Sequence, residues 1–134
     1  MNWLFKEEPS SYSFERFVKD GGTSWAGVRN PLAQKHLRAA KKGDRVFYYH
    51  TGGEKAIVGM ARATSDAYAD PSDKSGKWVV VDIAPVRALK RPVTLAEIKA
   101  SKAFASFALT RLPRLSVMPV SDAEWTAIER MSQE

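Results

Sequence analysis

Apolar and polar positions along the chain divide it into short blocks, each with its own period. Asn2 to Phe5 is an apolar run that breaks into charge at Lys6-Glu7-Glu8, the pattern of a first strand. Ser13 precedes a helical stretch from Phe14 to about Asp20, which Gly21-Gly22 ends. Thr23 to Asn30 follows neither period and reads as irregular. Asn30-Pro31 joins a capping side chain to a proline at the first helical position, which starts a helix running to about Ala40. Arg45 to Thr51 is rich in aromatic and β-branched residues and predicts a strand. Gly52-Gly53 is a turn, and Ala56 to Thr64 is the returning strand. Tyr68 to Lys77 has loop composition. Trp78 to Leu89 is a long strand that Pro85 bends. Thr94-Leu95-Ala96-Glu97 and Ser121-Asp122-Ala123-Glu124 are capping boxes for two further helices, separated by a strand over Leu115 to Val120.

Strands joined by short turns, with helices between some of them, favour a mixed curved sheet over a doubly wound parallel one. The expected class is α+β: a small β-barrel or barrel-like mixed sheet flanked by helices. No repeat, low-complexity tract or linker interrupts the sequence, and 134 residues is an ordinary size for one domain, so residues 1–134 are read as one.

Composition narrows the function. The absence of cysteine removes disulfides, thiolate nucleophiles and Cys-ligated zinc, and two histidines, His36 and His50, are too few for a metal cluster. No Walker loop, GxGxxG, HExxH or GxSxG occurs, so no catalytic residue, cofactor or metal is assigned. The N-terminus has no basic leader, and no window approaches the ~18 apolar residues of a membrane span. A cytoplasmic protein is expected, nucleoid-associated or nuclear where the cell has those compartments. The net charge of +6 favours polyanionic partners.

Lys35, Arg38 and Lys42 stand at i, i+3 and i+7 and are expected to share one helical face suited to phosphates. A solvated face is the competing reading. In the irregular stretch, Trp25 either covers a core edge or offers a ring face to a base, where stacking is worth about 1–3 kcal/mol. Gly27 permits close backbone approach, and Arg29 and Asn30 supply planar donors. On the aromatic strand, Val46, Tyr48 and His50 alternate with Phe47 and Tyr49. One set is expected to be core and the other to face a cleft, with His50 at its rim.

Taken in order, Trp3-Leu4-Phe5-Lys6-Glu7-Glu8-Pro9, Tyr12-Ser13-Phe14, Trp25-Ala26-Gly27-Val28-Arg29-Asn30, Gly43-Asp44, Ile57-Val58-Gly59, Ala67-Tyr68-Ala69-Asp70-Pro71, Lys90-Arg91-Pro92-Val93-Thr94-Leu95 and Arg114-Leu115-Ser116-Val117 resemble EVE domains over nearly the whole chain. The resemblance implies a PUA-like barrel related to YTH domains, which hold a methylated base in an aromatic cage. By motif, Trp25 matches the cage tryptophan, and Tyr68 is the second wall, with Trp78 a competitor for that place. Lys6 and Glu8 fall beside the pocket, Glu8 accepting from an exocyclic amine. Val28, Arg29, Asn30, His50 and Ser116 line or rim it.

The implied function is a monomeric, non-catalytic module that captures one modified base of DNA or RNA. Two alternatives stand beside it. One is a small amide hydrolase of the related ASCH type, using Lys6 and Glu8. The other is a protein-interaction domain with a vestigial pocket.

Overall fold

The computed structural model describes all residues from Met1 to Glu134. The strands are β1 (Asn2–Glu7), β2 (Thr23–Trp25), β3 (Arg45–His50), β4 (Ala56–Ala63), β5 (Tyr68–Ala69), β6 (Val79–Thr94) and β7 (Val117–Val120). The helices are α1 (Pro9–Tyr12), α2 (Phe14–Asp20), α3 (Pro31–Ala39), α4 (Leu95–Ala100), α5 (Ala108–Arg111) and α6 (Asp122–Met131), with a 3-10 turn at Lys102–Phe104. One curled mixed sheet runs β2-β6-β4-β3-β1-β7, and β5 pairs with β6 away from that path. Only β1 and β3 pair in parallel; every other pairing is antiparallel.

Local signals account for the helix ends. The Ser13 hydroxyl accepts from the Arg16 N–H, and Gly21, at φ 76°, closes α2 in the left-handed conformation. The Asn30 side chain caps α3, and both capping boxes form, at Thr94/Glu97 and Ser121/Glu124. Asp44 fastens the turn after α3 to β1: its Oδ2 accepts from the Lys41 N–H and from Trp3 Nε1, each at 2.9 Å. Pro85 sits where the β4–β6 register shifts, opposite Ala61, as its missing N–H requires.

Three expectations need correction. The stretch after Gly22 is not irregular throughout, because Thr23–Trp25 pairs with Val81 to Ile83 of β6. The loop from Tyr68 likewise begins as a two-residue strand on Val79 and Val80. Both sets of side chains on β3 are core rather than one: Val46, Phe47, Tyr48, Tyr49 and His50 are all buried, and only Tyr49 and His50 reach the wall of a surface cavity, one on each face. Both sheet faces are covered. Trp125 of α6 stacks on Phe47 at 3.6 Å on one face, while Phe17 of α2 stacks on Tyr48 at 5.4 Å on the other.

Candidate nucleic-acid interface

Strand alternation sorts the side chains near the end of β1. Trp3, Phe5 and Glu7 point to one face, in register with Val46, Tyr48 and His50 of β3. Trp25 packs on this same face, with its ring centre 5.4 Å from both Phe5 and Tyr48. It is 5% exposed, so no ring face stands open to solvent, and the expected open stacking wall is closed. Its position follows from β2, whose pairing with β6 drives every second side chain inward. The indole N–H has no partner within the protein, and the only buried unpaired side-chain polar atom is Trp125 Nε1.

A cleft of about 310 Å3 opens at the same end of the sheet, between the start of α3 and the segment entering β7. Asn30 and Leu32 line one side, and Arg111, Leu112, Pro113, Arg114 and Leu115 the other. Asn30 Oδ1 is occupied by the Ala33 N–H at 3.0 Å, which leaves its amide NH2 as a donor. Alternation along β1 sets Glu7 on the face shared with Phe5 and Trp25, just outside the lining of the cleft. Glu7 Oε1 accepts the Glu8 N–H at 2.9 Å, and Glu7 belongs to no ion pair. Burial, with the Glu7 charge nearby, pushes the Tyr48 hydroxyl above the usual tyrosine range.

The other expected site residues divide between several places. Val28 is buried, and its carbonyl accepts from Gln34 Nε2 at 2.8 Å. Arg29 is exposed and lies over the Trp78 ring at 4.9 Å. Ser116 follows the cleft, and its carbonyl accepts the Lys6 N–H at 2.9 Å. The Lys6 side chain, however, takes the face opposite Trp25. There its ammonium donates to the Pro113 carbonyl at 3.0 Å and lies 5.5 Å from the Tyr49 ring centre, and burial lowers its pKa.

Glu8 is exposed and accepts from the Thr51 hydroxyl at 3.2 Å. It lies against Gly52, where a Cβ would come within 2.8 Å of its carboxylate. His50 is structurally committed: Nε2 accepts the Phe14 N–H at 3.0 Å, which leaves Nδ1–H to meet Glu54 at 2.7 Å. Tyr68 hydrogen-bonds through its hydroxyl to Asp82, beside Ser24, on the outer side of β6. Trp25 and its partner Val81 occupy the other side, so the two aromatics do not form facing walls.

Lys35 and Arg38 are exposed on α3, but Lys42 does not share their face. The helix ends at Ala39, and Lys42 sits in the following turn, its N–H donating to Asp66 at 2.9 Å.

Sequence reading passed over Glu7, Gln34, Arg111, Arg114 and the lining between the two arginines. Gln34 is 1% exposed and bonds both Val28 and β6, its Oε1 accepting the Val79 N–H at 3.1 Å; it thereby holds the Val28–Asn30 segment in place. Strict parity along β1 would have put Glu7, not Glu8, on the face of Phe5. The pair Arg111 and Arg114 around Leu-Pro was a visible but unperiodic signal. The basic side chains of the region are unpaired: Arg29, Arg38, Lys77, Arg111 and Arg114 take part in none of the ion pairs. No group of three or more His, Cys, Asp or Glu side chains is placed to hold a metal ion, and no helix is long and apolar enough to cross a membrane.

Comparison with known proteins identifies the family and the fold. The EVE domain family profile matches residues 1–131. Human thymocyte nuclear protein 1 is 32% identical over 99% of this chain and 74% of its own length. A solved structure from Rhodopseudomonas palustris superposes with a TM-score of 0.94 at 47% identity, covering 98% of this chain and 92% of that one. The human THYN1 protein in complex with DNA containing 5-methylcytosine gives a TM-score of 0.90 at 29% identity, covering 99% and 98%. An ASCH protein from Zymomonas mobilis, at 14% identity and a TM-score of 0.55 over 97% of each chain, shares the fold alone.

Proposed function

Because the chain belongs to the EVE domain family, we propose that it is a non-catalytic module that binds nucleic acid and captures a single modified base in the cleft between Asn30 and Leu115. One observation carries this reading: a cleft of about 310 Å3, at the small end of ligand sites, is lined by apolar side chains and two arginines that have no carboxylate partner. Such a place accepts a flat apolar ring attached to a phosphodiester. DNA with 5-methylcytosine is the ligand of the human THYN1 structure, which makes a methylated cytosine the first base to test.

In this reading the base leaves its stack and enters beside Leu32, Leu112 and Leu115. The Asn30 amide donates to its edge, and Glu7, on the Trp25 face, accepts from an exocyclic amine. That assignment moves the acceptor role from Glu8 to Glu7. Trp25 meets the ligand by its edge and its free N–H, and its ring face stays against Phe5 and Tyr48. Val28, held by Gln34, and Ser116 frame the entrance. Lys6 supports it from behind through the Pro113 carbonyl. The module acts as a monomer, in whichever compartment of the cell holds its DNA or RNA.

The test is a binding series on matched oligonucleotides, single-stranded and duplex, DNA and RNA. Each carries cytosine, 5-methylcytosine, adenine or N6-methyladenine at one central position. At least fivefold preference for one modified oligonucleotide over its unmodified match is expected, about the effect of one good contact to a base. Equal affinity across the series would remove base capture and leave a binder of backbone only. Turnover of acylated nucleosides would instead favour the amide-hydrolase alternative.

A further inference from the structure

We propose that Arg29, Arg38 and Lys77, gathered around the Trp78 indole, form a phosphate-binding site that grips nucleic-acid backbone next to the base-binding cleft. The inference rests on the nucleic-acid reading above and adds to it a second, separate point of contact.

Two cations share one aromatic ring here. The Arg29 guanidinium lies 4.9 Å and the Lys77 ammonium 4.7 Å from the centre of Trp78. A third, Arg38, joins them by donating from Nη2 to the Lys77 carbonyl at 2.7 Å. Like charges brought together raise the local potential unless acids offset them, and none of these three enters an ion pair. Asp73, four residues before Lys77, stays ionised and offsets part of this potential, but it pairs with none of the three cations and its oxygens are taken up within its own loop. It accepts the Ser75 N–H at 3.0 Å, the Ser75 hydroxyl at 2.7 Å and the Trp78 N–H at 2.8 Å. These bonds, led by the Ser75 hydroxyl, hold its carboxyl at a pKa of about 2.

The scaffold beneath the cations is ordered. Asp70 binds Ser72 through both its N–H and hydroxyl, as Asp73 binds Ser75, so the loop delivering Lys77 and Trp78 is built from two consecutive Asp–Ser turns. Gln34 fixes the opposite bank by bonding both the Val28 carbonyl and Val79. The indole restrains two long side chains that would otherwise wander, which lowers the entropy lost on binding. A phosphodiester is the anion that suits three such donors on an open surface: it is permanently charged and has two free oxygens for planar guanidinium groups. Arg29 precedes Asn30 directly, so a strand held here continues into the cleft that Asn30 lines.

The test compares salt dependence of binding to an unmodified duplex oligonucleotide. Arg29→Gln/Lys77→Gln is set against Lys90→Gln/Lys102→Gln, which removes the same two charges from exposed positions elsewhere on the chain. If the site binds phosphate, the first pair lowers affinity on the order of tenfold and flattens the slope of log affinity on log salt by about 2. The control pair leaves the slope within experimental error of the wild type. Trp78→Ala, with all charges kept, weakens binding severalfold, and Trp78→Phe recovers part of it. An unchanged slope in Arg29→Gln/Lys77→Gln, with wild-type protein still binding, overturns the site. Equal effects of the two pairs overturn it too, since net charge would then suffice. No wild-type binding at any salt concentration overturns the nucleic-acid reading itself, and this site with it.

Discussion

Trp25 meets Tyr48 edge-on, with 84° between the ring planes and 5.4 Å between centroids. Phe5 lies at the same distance with its plane tilted by 36°, so the indole is bracketed by two core rings. A side chain held in this way contributes to stability before it contributes to binding. Trp25→Ala should therefore cost about 3–5 kcal/mol in urea denaturation, and Trp25→Phe much less. A loss below about 1 kcal/mol with the fold intact would mean that the indole is free to turn its face to a ligand, the open wall expected from sequence.

The Phe14 ring occupies the space that a side chain at residue 59 would need: a Cβ on Gly59 would stand 2.3 Å from its Cζ. Phe14 has little room to retreat, because its N–H is held by His50 and its ring packs edge-on to Phe17 and Tyr48. Gly59→Ala should destabilise the protein by about 1–3 kcal/mol, the usual cost of overpacking. Adding Phe14→Leu should return part of that loss, a coupling that a double-mutant cycle measures directly. Strictly additive effects would show that the strand, rather than the ring, absorbs the methyl group.

Glu97 carries a pH-dependent share of stability. Arg91 Nη1 sits 2.9 Å from both carboxylate oxygens, and the Thr94 N–H adds a bond at 3.1 Å. Together, the arginine foremost, they hold the carboxyl at about 2, below its ordinary 4.5. A depressed acid stabilises the fold fully above its unfolded pKa and loses that contribution as pH falls through the folded one. Glu97→Gln should thus be clearly less stable than wild type at pH 6, with the gap closing between pH 4.5 and pH 2. Parallel urea titrations over that range check it. A constant gap would assign the effect to capping geometry instead of charge.

Features decided within a few residues were legible in the sequence. Ser13, Asn30, Thr94 and Ser121 announce helix starts because each cap bonds a backbone N–H three residues on. What pairing at a distance decides was not. Thr23–Trp25 is too short to show a period and exists because β6 is there to receive it. The double burial of β3 depends on Trp125, far along the chain, stacking over Phe47. The same limit affected the site. Trp25, Arg29 and Asn30 were assigned by motif, yet Tyr68 lies across β6 from Trp25, and Arg111 and Arg114 lie in a segment with no period to mark them. Glu8 was placed beside the pocket by motif, while β1 was read as a strand over Asn2 to Phe5. Its true extent to Glu7 fixes which carboxylate faces inward.

That one-residue difference makes the sharpest test of the pocket. Glu7 is half-buried, lies on the face of Phe5 and Tyr48, and keeps Oε2 without a protein donor, whereas Glu8 is exposed and already accepts from Thr51. Replacing either by Gln preserves shape and converts one acceptor to a donor, so only the carboxylate that reads a base should alter base preference. A charge-assisted hydrogen bond is worth about 1.5–3 kcal/mol, roughly 10-fold to 150-fold in affinity. Glu7→Gln should therefore lose most of its preference for a central 5-methylcytosine over thymine, which presents a carbonyl where cytosine has its amine. Glu8→Gln should keep that preference, and neither variant should change the salt slope, since neither carries a phosphate contact. Anisotropy titrations of both variants on the same three oligonucleotides, with cytosine, 5-methylcytosine or thymine, decide the matter. If discrimination disappears in Glu8→Gln and survives in Glu7→Gln, the base enters from the Thr51 side of the sheet, and the cleft at Asn30 is not where it is read.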